Sequence, residues 1–279
     1  CATAGAQMTA IEMDTIRATF EHLRHAGKAA LMPYLTMGYP RRDSALSLVP
    51  ALIEAGADLI ELGIPFSDPL ADGATIQAAS QQALNNGVSL SLCLEQVAAL
   101  RARGVHTPLV MMGYYNPIFQ MGVEEFAARA AAAGVSGLIV PDLPPEEADG
   151  LRQAVHQRGI DMIFLVAPTS DNGRLRRVAE YSSGFLYLVS LTGVTGARDH
   201  LPPDLESFVM RARQATSLPL AVGFGISSPV QAARVARFAD GVIVGSALIK
   251  AISATSDPVK TAHDFVAGLR AGMDHPEEV

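Results

Sequence analysis

Short apolar runs recur along the chain, each followed by a longer stretch whose apolar positions fall at helical spacing. The runs are "ALMPYLTM" (30–37), "DLIELG" (58–63), "PLVMMG" (108–113), "GLIVPD" (137–142), "DMIFLVA" (161–167), "FLYLVS" (185–190), "PLAVGFG" (219–225) and "DGVIVGS" (240–246), eight in all. Most are near-continuous rather than alternating, the signature of parallel strands covered on both faces. Helical stretches lie between them: "RDSALSLVPALIEAG", with Asp43 and Ser44 as a cap signal, then "SLSLCLEQVAALRARG", "VEEFAARAAAAG", "PEEADGLRQAVHQRG", "DNGRLRRVAEYSSG", "DLESFVMRARQATS" and "SPVQAARVARFA". Helix, glycine and then strand recurs after Gly56, Gly104, Gly134 and Gly159. Glycine is the usual left-handed residue just past a helix end, so the repeat marks βα units.

Eight such units predict an α/β protein of the (β/α)8 barrel type. An extra N-terminal helix at about 12–26 and an extra helical segment after the second strand, at about 73–86, complete the pattern. A doubly wound open sheet is the alternative, but it would usually carry a glycine-rich turn after its first strand, where this chain has "MGYPRRD". No linker divides the 279 residues, so 8–279 is expected to form one barrel domain. The start "CATAGAQM" is read as a cloning remnant over residues 1–7, with Met8 or Met13 as the natural start. The long polar stretch 191–203 is expected to be an active-site lid.

Composition narrows the function. With 49% hydrophobic residues the chain can fill a sizeable core, and its net charge of −7 argues against nucleic acid as the main partner. No apolar run is long enough to span a membrane, and the N-terminus lacks signal-peptide order. With two cysteines, Cys1 and Cys93, a reducing cytoplasm is the simpler expectation.

A barrel carries its chemistry at the C-terminal strand ends. There the sequence places Tyr34, Thr36, Glu61, Met112, Tyr114, Asn116, Asp142, Tyr187, Ser190, Phe224, Gly225, Gly245 and Ser246. The lysines, Lys28, Lys250 and Lys260, all lie elsewhere, so a Schiff base has no nucleophile. The seven histidines form no ligand cluster; only the Asp/Glu set could hold Mg²⁺, and no metal is expected. "GFGISSP" and "VGSALI" put Gly and Ser where short helices begin, which suits a phosphate, although such glycines also serve plain tight turns. Tyr34, Met112, Tyr114, Tyr187 and Phe224 would converge at the mouth as walls for a flat or apolar substrate.

Glu61 interrupts an otherwise apolar strand. A carboxylate facing a barrel interior is costly unless neutral, paired or catalytic, and desolvation would raise its pKa into the range of a proton donor. It could instead be a structural carboxylate bonded to backbone N–H groups or to a tyrosine hydroxyl. Asp68 and Asp72 follow in "PFSDPLADG", where Asp72 could cap the next helix and Asp68 could be a turn residue; composition does not rank them.

"IELGIPFSDPLADG" (60–73) resembles the signature of the tryptophan synthase α subunit family. The likeness continues in order through "PYLTMGYP", "MMGYYNPIF", "VPDLP", "FLYLVSLTGVTGAR", "GFGISSP" and "VGSALIK", over roughly residues 14–270. The resemblance implies reversible retro-aldol cleavage of indole-3-glycerol phosphate to indole and glyceraldehyde 3-phosphate. It implies Glu61 as general acid/base and Asp72 as the carboxylate on the indole N–H, with Thr195 closing onto Asp72. Gly196, Gly225, Gly245 and Ser246 match its phosphate site, and Tyr34, Ile76, Met112, Tyr114, Ile139, Tyr187 and Phe224 its substrate pocket. Once C3 is protonated the indole ring is itself the electron sink, so neither lysine nor metal is needed. The resemblance further implies no cofactor in this chain and a β subunit partner carrying pyridoxal phosphate in an α2β2 complex, with Asp68 and Asn116 facing it. Tyr34 stands where phenylalanine is common in the family, and Leu191 where some members carry a basic residue. Another phosphosugar isomerase of the barrel type should lack the 60–73 signature. A catalytically weak partner-binding subunit should have lost Glu61 or Asp72.

Overall fold

The computed structural model describes residues 15–189, 203–223 and 225–275 of the chain. Its strands are β1 (Ala30–Thr36), β2 (Ile60–Gly63), β3 (Leu109–Met112), β4 (Gly137–Ile139), β5 (Asp161–Ile163), β6 (Leu165–Val166), β7 (Leu186–Val189), β8 (Leu220–Gly223) and β9 (Gly241–Val244). The helices are α1 (Ile16–His25), α2 (Ala45–Glu54), α3 (Ala74–Asn85), α4 (Leu90–Ala102), α5 (Tyr115–Met121), α6 (Val123–Ala133), α7 (Asp149–His156), α8 (Asn172–Tyr181), α9 (Leu205–Arg213), α10 (Pro229–Ala236), α11 (Ser246–Ser253) and α12 (Pro258–Asp274).

All pairings are parallel, in the order β5-β4-β3-β2-β1-β9-β8-β7-β6. The ends of that row, β5 and β6, are consecutive in the chain, so the row closes into the expected barrel. The fifth apolar run, predicted as one strand over 161–167, is two short strands broken at Phe164. Its first half pairs with β4 and its second half with β7, while the Phe164 carbonyl accepts the Tyr187 N–H at 3.1 Å. One segment bridges the seam by serving a different neighbour with each half.

Both faces of the strands are buried, as their continuous apolar sequences require. Along β1 and just before β2, Ala30, Met32 and Leu59 point into the barrel, where Val110, Ile139, Ile163, Phe185, Tyr187, Ala221 and Ile243 join them. The alternate residues Leu31, Leu35, Ile60 and Leu62 point out and pack under the helices. The period-2 alternation is therefore real but hidden in the sequence, because both faces are apolar. Helix α1 closes the N-terminal end: Ile16, Phe20 and Leu23 are buried in the inner cluster, and the Phe20 ring lies 5.8 Å from that of Phe185. Burying three such side chains contributes on the order of 5 kcal/mol.

The glycines after α2, α4, α6 and α7 take positive φ, as the spacing predicts: 99° at Gly56, 83° at Gly104, 85° at Gly134 and 75° at Gly159. One local expectation is corrected and one open alternative is settled. Ser44 makes no side-chain cap bond on α2; its hydroxyl instead accepts the Arg41 N–H at 3.0 Å, closing the turn before the helix. Helix α3 is capped by Gly73 with no side-chain bond, so Asp72 is not its cap. Helices α5 and α12 do not stand out in the sequence pattern. Pro117 sits in the first turn of α5, where a missing N–H costs nothing.

Candidate active site

The C-terminal ends of the strands surround a cleft of about 490 Å³, open mouth included. Tyr34, Glu61, Asp72, Ile76, Met112, Tyr187, Gly225, Ile226, Ile243, Gly245 and Ser246 line it. Nine of the residues singled out in the sequence thus meet in one place. Ile226 and Ile243 were not among them. Ile226 follows Gly225 inside the phosphate turn, a signal that was available; Ile243 is an inward position of a strand apolar on both faces, which sequence cannot distinguish.

Glu61 extends the inward-facing row of β2 by one step beyond Leu59, so strand geometry alone aims it into the barrel. It is only 2% exposed, and its Oε2 is buried without a hydrogen-bond partner. Burial pushes its carboxyl up to about 8, with the nearby Asp72 charge adding to the shift. The alternative of a structural carboxylate tied to backbone or tyrosine finds no bond at Oε2. Asp72 arrives on the segment between β2 and α3 and is half-buried. Burial raises it to about 6, opposed by a hydrogen bond from the Tyr114 hydroxyl. Two carboxyls share one cleft, and between about 6 and 8 the first holds a proton while the second is ionised.

Two tyrosines flank the acids. Tyr34 stands beside Glu61 in the β1–β2 register, and its hydroxyl lies 3.3 Å from Thr36 Oγ1. A Cβ on Gly63 would fall 2.0 Å from the Tyr34 hydroxyl oxygen, and one on Gly223 would fall 2.3 Å from that of Tyr187. Each phenol is therefore seated by a glycine, the only residue that leaves the room. Burial raises the pKa of both phenols, with Asp72 adding most to the shift at Tyr34 and Glu61 at Tyr187, so both stay protonated as donors.

Across the cleft, Gly245 precedes α11 and no side chain caps that helix. Gly245 and Ser246, with Gly225 (φ 84°), line the cleft there. Free N–H groups at the positive end of a helix suit an anion. No lysine, arginine or histidine lines the cleft among the described residues. Among the described residues there is also no group of three or more His, Cys, Asp or Glu placed to hold a metal ion.

The other predicted positions fall as follows. Tyr114 and Ile139 are buried but do not line the cleft; Ile139 stands beside Met112 in register and packs in the inner cluster. Asp68 and Asn116 are exposed, and Asp68 accepts a hydrogen bond from the Ser67 hydroxyl at 2.5 Å. Thr195, Gly196, Phe224, Ser190 and the 191–202 part of the expected lid lie outside the described residues.

A family model described as tryptophan synthase alpha chain matches residues 20–274. The chain belongs to this family. It is 57% identical over 260 residues to the tryptophan synthase alpha chain of Roseiflexus sp. (strain RS-1), covering 92% of this chain and 100% of that one. With that of Chloroflexus aurantiacus it shares 53% over 266 residues, covering 95% and 100%. Among solved structures, tryptophan synthase subunit alpha from Legionella pneumophila superposes with a TM-score of 0.87 at 40% identity, over 93% of this chain and 98% of that one. A chain of the tryptophan synthase complex from Pyrococcus furiosus superposes at 0.82 and 39% identity, over 88% and 98%. As a tryptophan synthase alpha chain family member, the protein is a lyase that reversibly cleaves indole-3-glycerol phosphate to indole and glyceraldehyde 3-phosphate.

Proposed function

We propose that Glu61 and Asp72 divide the chemistry of this cleavage between them. Glu61, protonated near neutral pH, gives its proton to C3 of the indole ring, which becomes the cationic indolenine tautomer. The bond from C3 to the glycerol carbon then breaks. Its electron pair returns to the ring, and the adjacent hydroxyl becomes the aldehyde as the Glu61 carboxylate takes its proton. Glu61 ends as it began. Asp72, ionised, accepts the indole N–H and offsets the positive charge that develops on the ring, a preorganised electrostatic contribution in a water-poor cleft. Two carboxyls whose surroundings push their pKa values to opposite sides of neutrality form the pattern expected of an acid and a charge stabiliser.

Tyr34, Ile76, Met112 and Tyr187 form the walls for the indole, with Ile139 behind Met112. The phosphate sits against Gly225, Gly245 and Ser246 at the start of α11. Thr195, Gly196 and Phe224 complete the site in the same way as in the family. The substrate's own ring supplies the electron sink, so this chain works without a cofactor, and pyridoxal phosphate belongs to a β subunit in an α2β2 complex. The partner docks on the segments of Asp68 and Asn116, where Leu70 and Phe119 expose large apolar side chains at 88% and 61%. Residues 8–279 act as one barrel domain. No helix among the described residues is long and apolar enough to cross a membrane, and we place the enzyme in the cytoplasm.

The observation that carries this reading is the unpartnered, buried Oε2 of Glu61 in the same cleft as Asp72. Indole release from indole-3-glycerol phosphate, measured with the β subunit present, should fall at least roughly 10²-fold in Glu61→Gln. Turnover near that of the wild type would sink the assignment.

A further inference from the structure

We infer that Tyr114 is a positioning residue for Asp72 rather than a wall of the substrate cleft: its hydroxyl clamps the segment that carries Asp72 to the end of β3. The inference rests on the role given to Asp72 above. Tyr114 is buried and does not line the cleft. Its hydroxyl oxygen accepts the Ala71 N–H at 2.9 Å. The phenol's own proton remains to be donated, and this hydroxyl favours the charged form of the neighbouring Asp72. One hydroxyl just beyond β3 thus holds the residue before Asp72 and favours the charge on Asp72 itself.

That segment has few other ties. The Asp72 N–H reaches the Pro69 carbonyl only at 3.4 Å, and Gln77 Nε2 donates to the Asp72 carbonyl at 2.8 Å. Both are local, and neither holds the carboxylate. The Tyr114 ring is fixed in turn. Phe66 stacks on it with centroids 5.2 Å apart and planes at 29°. The next residue, Tyr115, donates its N–H to Asp142 at 3.0 and 3.3 Å, anchoring the start of α5 beside β4. The exposed Asn116 follows directly, so the clamp joins the surface proposed for the partner to the catalytic carboxylate.

The ionisable groups that act on Asp72 or lie beside it are Glu61 from β2, Tyr34 from β1, Tyr187 from β7 and Tyr114 itself. Since no cation lines the cleft among the described residues, the Tyr114 hydroxyl is what opposes the burial that drives Asp72 toward its neutral form. A hydrogen bond donated to a carboxylate favours the charged state.

The test is kcat/KM for indole release against pH, with the β subunit present, because this profile reports the free enzyme's acid and base. In Tyr114→Phe the acidic limb, near 6 in the wild type, should move up by about one pH unit, a tenfold change in proton affinity, while the alkaline limb stays. At the plateau kcat should fall about tenfold and KM should stay within about threefold. Phe66→Leu, which loosens the ring without touching the hydroxyl, should move the same limb by less and serves if Tyr114→Phe does not fold. A raised KM with an unmoved acidic limb in the variants that fold overturns the inference and makes Tyr114 a substrate wall. Asp72→Asn separates the two claims. If it keeps wild-type turnover, the role of Asp72 itself fails. If it loses turnover while Tyr114→Phe leaves the limb in place, the clamp alone fails.

Discussion

Asp58 and Glu61 lie three positions apart on one side of the barrel, and burial acts on both, yet their surroundings are opposite. Asp58 stands at the closed end. Its carboxylate accepts the Leu31 N–H at 2.8 Å and pairs with Arg270 of α12 at 3.0 Å, and both bonds counter the upward push of burial. Glu61 stands at the open end with Oε2 buried and unpartnered. The fold supplies partners for the acid that ties β1, β2 and α12 together and withholds them from the acid proposed to trade a proton. Strand geometry explains both: Asp58 lies at the strand's beginning, within reach of a helix, whereas Glu61 is the next inward step of an alternation whose other members are hydrocarbon.

The two acids should therefore respond in opposite ways to removal. Glu61→Gln loses at least roughly 10²-fold in turnover but keeps its fold, so thermal unfolding should be no earlier than in the wild type. Asp58→Ala leaves the Leu31 N–H without its acceptor and takes from Arg270 the nearer of its two carboxylates, Asp274 remaining at 3.6 Å. It should lose about 2–3 kcal/mol in urea unfolding, fewer than for a fully buried pair because both side chains keep some solvent contact. Turnover per folded molecule should hold within about threefold. If the losses are exchanged, with stability lost at Glu61 and activity at Asp58, the contrast is broken.

A smaller effect comes from linkage. The folded Glu61 value, about 8, lies above its ordinary 4.5, so between these pH values the folded state keeps a proton that the unfolded chain releases. Wild-type stability should fall as pH rises through that window and level off above it. Glu61→Gln lacks this loss, so its stability relative to wild type should grow from about pH 4.5 to about pH 8, by an amount on the order of a few kcal/mol. Parallel urea titrations across that range check it; a constant difference would mean that Glu61 is already charged in the folded protein. The smallest effect belongs to Tyr34→Phe. It removes one neutral hydroxyl whose described partner is Thr36, at 3.3 Å, and should change kcat/KM by less than about tenfold.

How far the sequence announced all this depended on the kind of signal. The barrel was legible because glycine after helix is a local, repeated mark. The break at Phe164 was not, since which neighbour a strand pairs with depends on closure of the whole sheet. Glu61 stood out as a charge where hydrocarbon prevails, whereas Asp72 was separated from Asp68 by the family resemblance alone. Ile243 did not, because an inward isoleucine looks like an outward one when both faces are buried. Tyr114 was read as a substrate wall; its bond to Ala71, beside Asp72, depends on how the segment after β2 folds back over β3, which no spacing records. Asp72 as a helix cap was a sound local reading that Gly73 displaced.

The most direct test is the protonation state of Glu61 itself. Infrared difference spectra of wild type against Glu61→Gln, taken between about pH 5 and about pH 10, isolate its carboxyl stretch. A protonated carboxyl band at neutral pH that gives way to carboxylate near pH 8 is the predicted result. A Glu61 signal that is carboxylate at neutral pH and below would contradict the claim that the fold keeps this acid neutral for chemistry.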